Sequence, residues 1–196
     1  MQDDSIILAA VAIAKEAHKH AKRKYSDRPY IFHPLRVMGR VAIRPGAGSL
    51  EVSAAVLHDT HEDPPYIPLE RIERHIHPQV AVYVGNLTSP SKRLAGPDGR
   101  YPKQWNRAKR VALNCEHIHK CDFWTQTIKC DDRIDNLEEL MADLHGWAGR
   151  PDKDFVEMYC DESVQYVRAM DKITQEQRDE LERTISLLRS AAATAY

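Results

Sequence analysis

Apolar positions recur along most of this chain at the three- and four-residue steps of an α-helix, as in Ile6, Ala9, Ala10, Ile13, Ala14 and Ala17. No alternating β-branched run of strand length competes with that pattern. It predicts an all-α fold, a bundle of about eight or more helices. The first helix can be capped by Asp4 or Ser5 and runs to about Arg23, before a loop through Ser26, Asp27 and Pro29. His33-Pro34 opens the second, Pro34 suiting its first turn. Pro45, Gly46 and Gly48 break it. A third helix covers 50–63 and is stopped by Pro64-Pro65, and shorter helices follow at 69–75 and 78–88.

Residues 89–101 form the longest irregular stretch, a candidate lid or binding loop. Two longer helices are expected at 103–122 and 125–145. After a break at 146–151, a helical hairpin at about 152–191 closes the chain, with helices at 152–170 and 174–191. Thr174 and Gln177 have the spacing of a capping box, and Leu181, Ile185 and Leu188 make a buried stripe. This hairpin carries the least chemical signal and reads as structural. With no repeat and no long linker, the 196 residues are expected to form one domain over 1–196.

Charge changes the picture by exclusion. The 28 basic and 29 acidic residues nearly cancel, so no bulk field favours nucleic acid or an anionic membrane as partner. The first residues lack the basic and apolar regions of a signal peptide, and no apolar run approaches the ~18 residues of a membrane span. A cytoplasmic location is the expectation. Cys115, Cys121, Cys130 and Cys160 have no framework spacing, which favours free thiols.

The densest chemistry lies in Ala-Ala-Val-Leu-His-Asp-Thr-His-Glu-Asp at 54–63, where an apolar run ends in a His-Asp pair followed by two carboxylates. Charged groups at the edge of a core are costly unless something compensates them, and a metal ion does so. His33, His58, Asp59 and Asp132 stand out as ligands that a bundle could converge, with Asp131 as a competitor for Asp132. Imidazole and carboxylate together suit Mn²⁺, Fe²⁺ or Mg²⁺ at least as well as Zn²⁺. Cys115, His117, His119 and Cys121 look like a second metal set, but steps of two on a helix rotate ~200° and scatter them. No second site is expected there.

These residues resemble the His-Asp domain phosphohydrolases, and within them the hydrolase domain of RelA/SpoT enzymes and the free-standing small alarmone hydrolases. The resemblance spans about 6–140. It includes Ala-Lys-Glu-Ala-His-Lys-His-Ala-Lys-Arg at 14–23, Pro-Tyr-Ile-Phe-His-Pro at 29–34, the 54–63 block, and Ile-Lys-Cys-Asp-Asp-Arg-Ile-Asp-Asn-Leu at 128–137. It implies a Mn²⁺ ion held by His33, His58, Asp59 and Asp132. The family's Asp-Arg-x-x-Asn register selects Asp132 over Asp131, since Asp132 and Asn136 stand four apart on one helix face. Asp131 and Asp135 depart from the family, which more often has an Ala and an aromatic or His at these places.

The implied reaction removes the 3′-diphosphate from (p)ppGpp or a related alarmone, giving GDP or GTP and pyrophosphate. Glu62 and Asp63 read on their own as helix-end surface charge; the resemblance makes them the dyad that activates water. It likewise places Arg23 and Lys24 against the base and its neighbouring phosphate, and Thr88 and Asn136 at the border of the nucleotide pocket. Lys92, Arg93, Arg100 and Lys103 are candidates for a basic rim. A cognate alarmone synthetase toxin is a candidate partner, and self-association is not legible. The alternatives are another nucleotide phosphohydrolase of the same class, acting as a 5′-nucleotidase or a 2′- or 3′-phosphatase, or a catalytically silent nucleotide-binding regulator.

Overall fold

The computed structural model describes residues 4–62, 66–93, 105–144 and 150–196. Among them ten helices run in the order α1 (Asp4–Ala17), α2 (Phe32–Ala42), α3 (Ser49–Leu57), α4 (Leu69–His75), α5 (Pro78–Leu87), α6 (Pro90–Arg93), α7 (Arg107–Lys120), α8 (Phe123–Asp143), α9 (Lys153–Ala169) and α10 (Gln175–Ala195). The fold is all-α as expected, and the extended pairing among the described residues is a single bridge between Lys22 and Pro29. No helix among these residues is long and apolar enough to cross a membrane.

Helix α3 is the axis of the N-terminal half. Seven of its nine positions, from Glu51 to Leu57, form an unbroken buried run, because α1, α2, α5 and α8 all pack against it. Small residues make that crowding possible: Ala10, Ala14 and Ala17 of α1 share a core with Ala54 and Ala55 of α3. A second core joins α7, α8, α9 and α10 through Ile118, Ile134, Leu137, Val156, Leu181 and Leu188. Helix α8 serves both cores, sending Ile128 into the first and Cys130, Ile134 and Leu137 into the second. The Thr174–Gln177 capping box forms and opens α10, and Leu181, Ile185 and Leu188 are buried.

An ion ladder fastens α2 to α8 and α10. Arg36, Arg40 and Arg44 lie four residues apart and meet Asp135, Glu138 and Asp131 in turn, with Glu180 bridging the last two arginines. Burial raises the Asp131 carboxyl despite its guanidinium partner, whereas Arg44 and Arg40 outweigh burial and hold Glu180 below its ordinary value.

Two helices end earlier than periodicity suggests, and both ends matter for the site. Helix α1 stops at Ala17, not Arg23, and tightened turns bond Lys19 N to Glu16 O and Ala21 N to His18 O. The chain then doubles back through Asp27, at φ 56, so that Arg23 N reaches Arg28 O at 2.9 Å. The basic run therefore lies on a returning loop, which turns Arg23 inward. Helix α3 ends at Leu57 because Thr60 claims the Leu57 carbonyl twice, through its hydroxyl at 2.7 Å and its amide at 3.0 Å. His58 to Glu62 form a turn in place of the expected helix to residue 63. Smaller shifts occur elsewhere: α8 begins at Phe123, α10 reaches Ala195, and Pro90–Arg93 is helical inside the stretch expected to be irregular.

Candidate functional site

Four ligand atoms converge where α2, the turn after α3, and α8 meet. His33 Nε2 and His58 Nε2 are 3.2 Å apart. Asp59 Oδ2 lies 3.2 Å from His58 Nε2 and 3.6 Å from His33 Nε2. Asp132 Oδ1 lies 3.2 Å from His33 Nε2 and 3.6 Å from His58 Nε2. Among the described residues, His33, His58 and Asp59 meet the spacing of a group able to hold a metal ion, and so, on the other side of the His33 ring, do His33, Asp135 and Glu139. Asp131, the sequence competitor, faces the other way and pairs with Arg44.

The fold sets how each ligand presents itself. Ala55 O accepts from His58 Nδ1 at 2.7 Å, leaving Nε2 toward the centre, and His33 Nδ1 contacts Asp135 Oδ2 at 2.6 Å. Tyr30 donates its hydroxyl to Asp59 Oδ2 at 2.6 Å, and Asn136 Nδ2 donates to Asp132 Oδ1 at the same distance. Lys129 Nζ takes the other oxygen of Asp132 at 2.8 Å. Burial disfavours charge on His33, His58, Asp59, Asp132 and Lys129, yet their mutual attraction wins. The imidazoles together with Lys129 hold Asp132 well below the usual carboxylate range, and His58 is pushed up to about 9 by Asp59 and Asp132. Two carboxylates thus concentrate negative potential on a point ringed by imidazole nitrogens. A divalent cation fits that donor set, with lone pairs in place of protons.

Above the centre opens a cavity of about 350 Å³, within the range of small-molecule sites. Asp59, Asp132, Glu62 and Tyr30 line it together with five cations, Lys92, Arg107, Arg110, Lys129 and Arg133. Tyr30, Asn136 and Tyr159 also border a second cavity of about 250 Å³, walled by Arg23, Lys24, Tyr25 and Phe155. Arg23 is drawn inward by Glu139 at 2.7 Å and Asn136 at 2.7 Å and lies 5.1 Å above the Tyr30 ring centroid. Lys24 sits over Tyr25.

Other expected residues fare differently. Glu62 faces the first cavity, where Ser89 N donates to Oε1 at 2.6 Å and Lys92 pairs with Oε2 at 2.8 Å. Asp63, Arg100, Lys103 and the side chain of Arg93 lie outside the described residues. Thr88 is buried and its hydroxyl donates to Val84 O at 2.9 Å, while Ser89 and Ser91 line the cavity instead. A threonine at a helix C-terminus satisfies a carbonyl of its own helix, which removes Thr88 from the wall. The four cysteines form no disulfide, Cys121 Sγ lies 3.4 Å from His117 O, and His117 Nε2 is 2.8 Å from Asn86 O.

The sequence reading missed Lys129, Arg133 and α9. On α8, Lys129, Asp132, Arg133 and Asn136 follow one helix face and all line the cavity, a periodic signal that was present. Arg133 is buried, stacked 4.0 Å from the Tyr166 ring centroid and 4.7 Å from that of Tyr159. Tyr159, Glu162 and Tyr166 come from α9, so the C-terminal hairpin is only half structural: α9 supplies a cavity wall, and Glu162 there pairs with Arg107 of α7.

No family model matches the chain. It is 30% identical over 182 residues, 91% of this chain and 94% of the relative, to the guanosine-3′,5′-bis(diphosphate) 3′-pyrophosphohydrolase MESH1 of Xenopus tropicalis. A guanosine-3′,5′-bis(diphosphate) 3′-pyrophosphohydrolase of Aquifex aeolicus is 32% identical over 149 residues, 75% of this chain but 18% of that longer relative. Among solved structures, a metazoan ortholog of SpoT, described as hydrolysing ppGpp and acting in starvation responses, superposes with a TM-score of 0.77 at 19% identity, covering 95% of this chain and 97% of the other. A protein of Listeria monocytogenes superposes at 0.58 with 21% identity, covering 81% of this chain and 99% of that one. At those identities the structural likeness establishes the fold.

Proposed function

The chain belongs to the guanosine-3′,5′-bis(diphosphate) 3′-pyrophosphohydrolase family, and from that premise we propose that it is a metal-dependent hydrolase removing the 3′-diphosphate of (p)ppGpp or a related alarmone, with GDP or GTP and pyrophosphate as products. The observation that carries the reading is a pair of neighbouring cavities that share Tyr30, Asn136 and Tyr159 in their walls. One has a ligand centre and five cations, suited to phosphate; the other has aromatic rings and an arginine plane, suited to a purine.

In this reading His33, His58, Asp59 and Asp132 hold a divalent cation, Mn²⁺ by family resemblance, which supplies Lewis acidity toward the 3′-diphosphate and toward water. Glu62 accepts the proton of the attacking water, oriented by the Ser89 amide and Lys92. Asp63 is assigned to the same dyad on the resemblance. Lys129 and Arg133 offset charge on the phosphates, where desolvated cations act most strongly. Arg23 stacks on the base and Lys24 offers a point charge beside it, while Asn136 joins the base side to Asp132. Thr88 acts through the backbone it holds. The substrate is a cytoplasmic nucleotide in this reading, and a cognate alarmone synthetase is the partner whose product it would remove.

Incubating the purified protein with ppGpp and Mn²⁺ tests the reaction. Pyrophosphate and GDP are the expected products. Orthophosphate as the first product, or substrate returned intact, would overturn the assignment in favour of another phosphohydrolase or a silent regulator.

A further inference from the structure

We propose that Asp135 is a positioning residue for His33, keeping its Nδ1 protonated so that Nε2 presents a lone pair to a divalent cation. The inference rests on the reading of His33, His58, Asp59 and Asp132 as the metal centre. The two histidines of that centre are held differently. His58 donates Nδ1–H to a backbone carbonyl, Ala55 O, which every side chain at position 55 would supply. His33 instead donates to a carboxylate oxygen at 2.6 Å, and both side chains are 1% exposed.

The carboxylate is itself immobilised. Arg36 donates Nε to Asp135 Oδ1 at 2.6 Å and Nη2 to Oδ2 at 2.9 Å, so Asp135 cannot rotate away from the imidazole. A carboxylate behind a ligating imidazole fixes its tautomer and increases its basicity, and loss of such a partner typically costs about 10- to 100-fold in metal affinity. A plainer role competes with it: Asp135 also serves as the ion-pair partner of Arg36, which reaches on to Glu139 at 2.9 Å. If that were its whole contribution, either side of the pair would be equally dispensable to the metal.

Two variants separate these roles. D135N keeps the shape and removes the charge facing His33; R36Q removes the ion pair and leaves the Asp135–His33 contact. Mn²⁺ affinity of chelator-stripped protein is measured by titration calorimetry, and the His33 tautomer by ¹⁵N spectra of histidine-labelled protein. The expected result is a loss of about 10- to 100-fold for D135N, with a changed His33 Nδ1–H signal, and a smaller loss for R36Q, in which Asp135 is less restrained but the His33 Nδ1–H signal is kept. Wild-type affinity in D135N, or an equal loss in R36Q, overturns the proposal. Wild-type protein that takes up no Mn²⁺ overturns the metal centre itself. Should D135N not fold, the double variant R36Q/D135N removes charge on both sides and is read against R36Q in the same way.

Discussion

Replacing Lys129 with Met probes how the buried centre balances its charge. The ammonium lies 2.8 Å from Asp132 Oδ2, with the two side chains 16% and 7% exposed. At that separation unit charges attract by roughly 6 kcal/mol at an effective dielectric constant of 20. Burial of the lysine offsets much of this, and removing one partner of a buried pair costs about 3–5 kcal/mol net. Asp132 keeps Asn136 Nδ2 at 2.6 Å and His33 Nε2 at 3.2 Å, which favours the lower end, about 3 kcal/mol, in metal-free protein. Methionine fills the space of the lysine stem, so the cavity contribution is small. With a divalent cation bound, Asp132 has a second source of countercharge and the cost falls. A fall of about 1.4 kcal/mol corresponds, around the thermodynamic cycle, to roughly tenfold tighter metal binding by K129M. Denaturant titrations in chelator and in Mn²⁺, with calorimetry of metal binding, measure both arms. Equal destabilisation under the two conditions, or weaker metal binding by the variant, would refute this account of the lysine.

Two further predictions follow from the same geometry. E62Q should take up metal as the wild type does while its kcat drops by about 10²–10⁴, and retention of most turnover would remove Glu62 from the reaction. Glu180, held below its ordinary value of 4.5 by Arg44 and Arg40 against burial, contributes stability that is complete above 4.5 and is lost as pH falls through its lower folded value. Acid denaturation of E180Q should therefore show a shallower loss of stability below 4.5 than the wild type, and superimposable pH profiles would show the ladder to be energetically silent.

The parts of the site that lie on one helix were assigned by the resemblance, and their spacing agrees with it. Asp132 and Asn136 share a face of α8, and the same step would have added Lys129 and Arg133, since every 3.6 residues return to one side. The arginines at 36, 40 and 44 likewise announce a charged stripe. What they meet was not legible, because Glu180 is far along the chain and no local rule pairs it with α2. Helix ends were the weakest part. Apolar periodicity continues through residue 57 into the His-Asp segment, and only the Thr60 hydroxyl on Leu57 O shows where the helix yields to a turn. The α9 wall was missed for a similar reason: Tyr159 and Tyr166 read as ordinary amphipathic residues until Arg133 stacks on them.

By itself the sequence determined the helical class, the approximate order of elements, and the residue types able to bind a divalent ion and a nucleotide. Side-chain period and turn chemistry are local properties, and they survive without a partner in view. Tertiary structure alone decided that His33, His58, Asp59 and Asp132 point at one place, that Asp131 turns to Arg44, and that Thr88 turns to its own helix. It also decided that Arg23 folds inward over Tyr30 and that a cationic cavity and an aromatic one share walls. Convergence depends on the packing of α2, α3 and α8 around a shared core, where displacement of one helix by an ångström would separate the ligands. Only the packed fold brings such distant groups to contact.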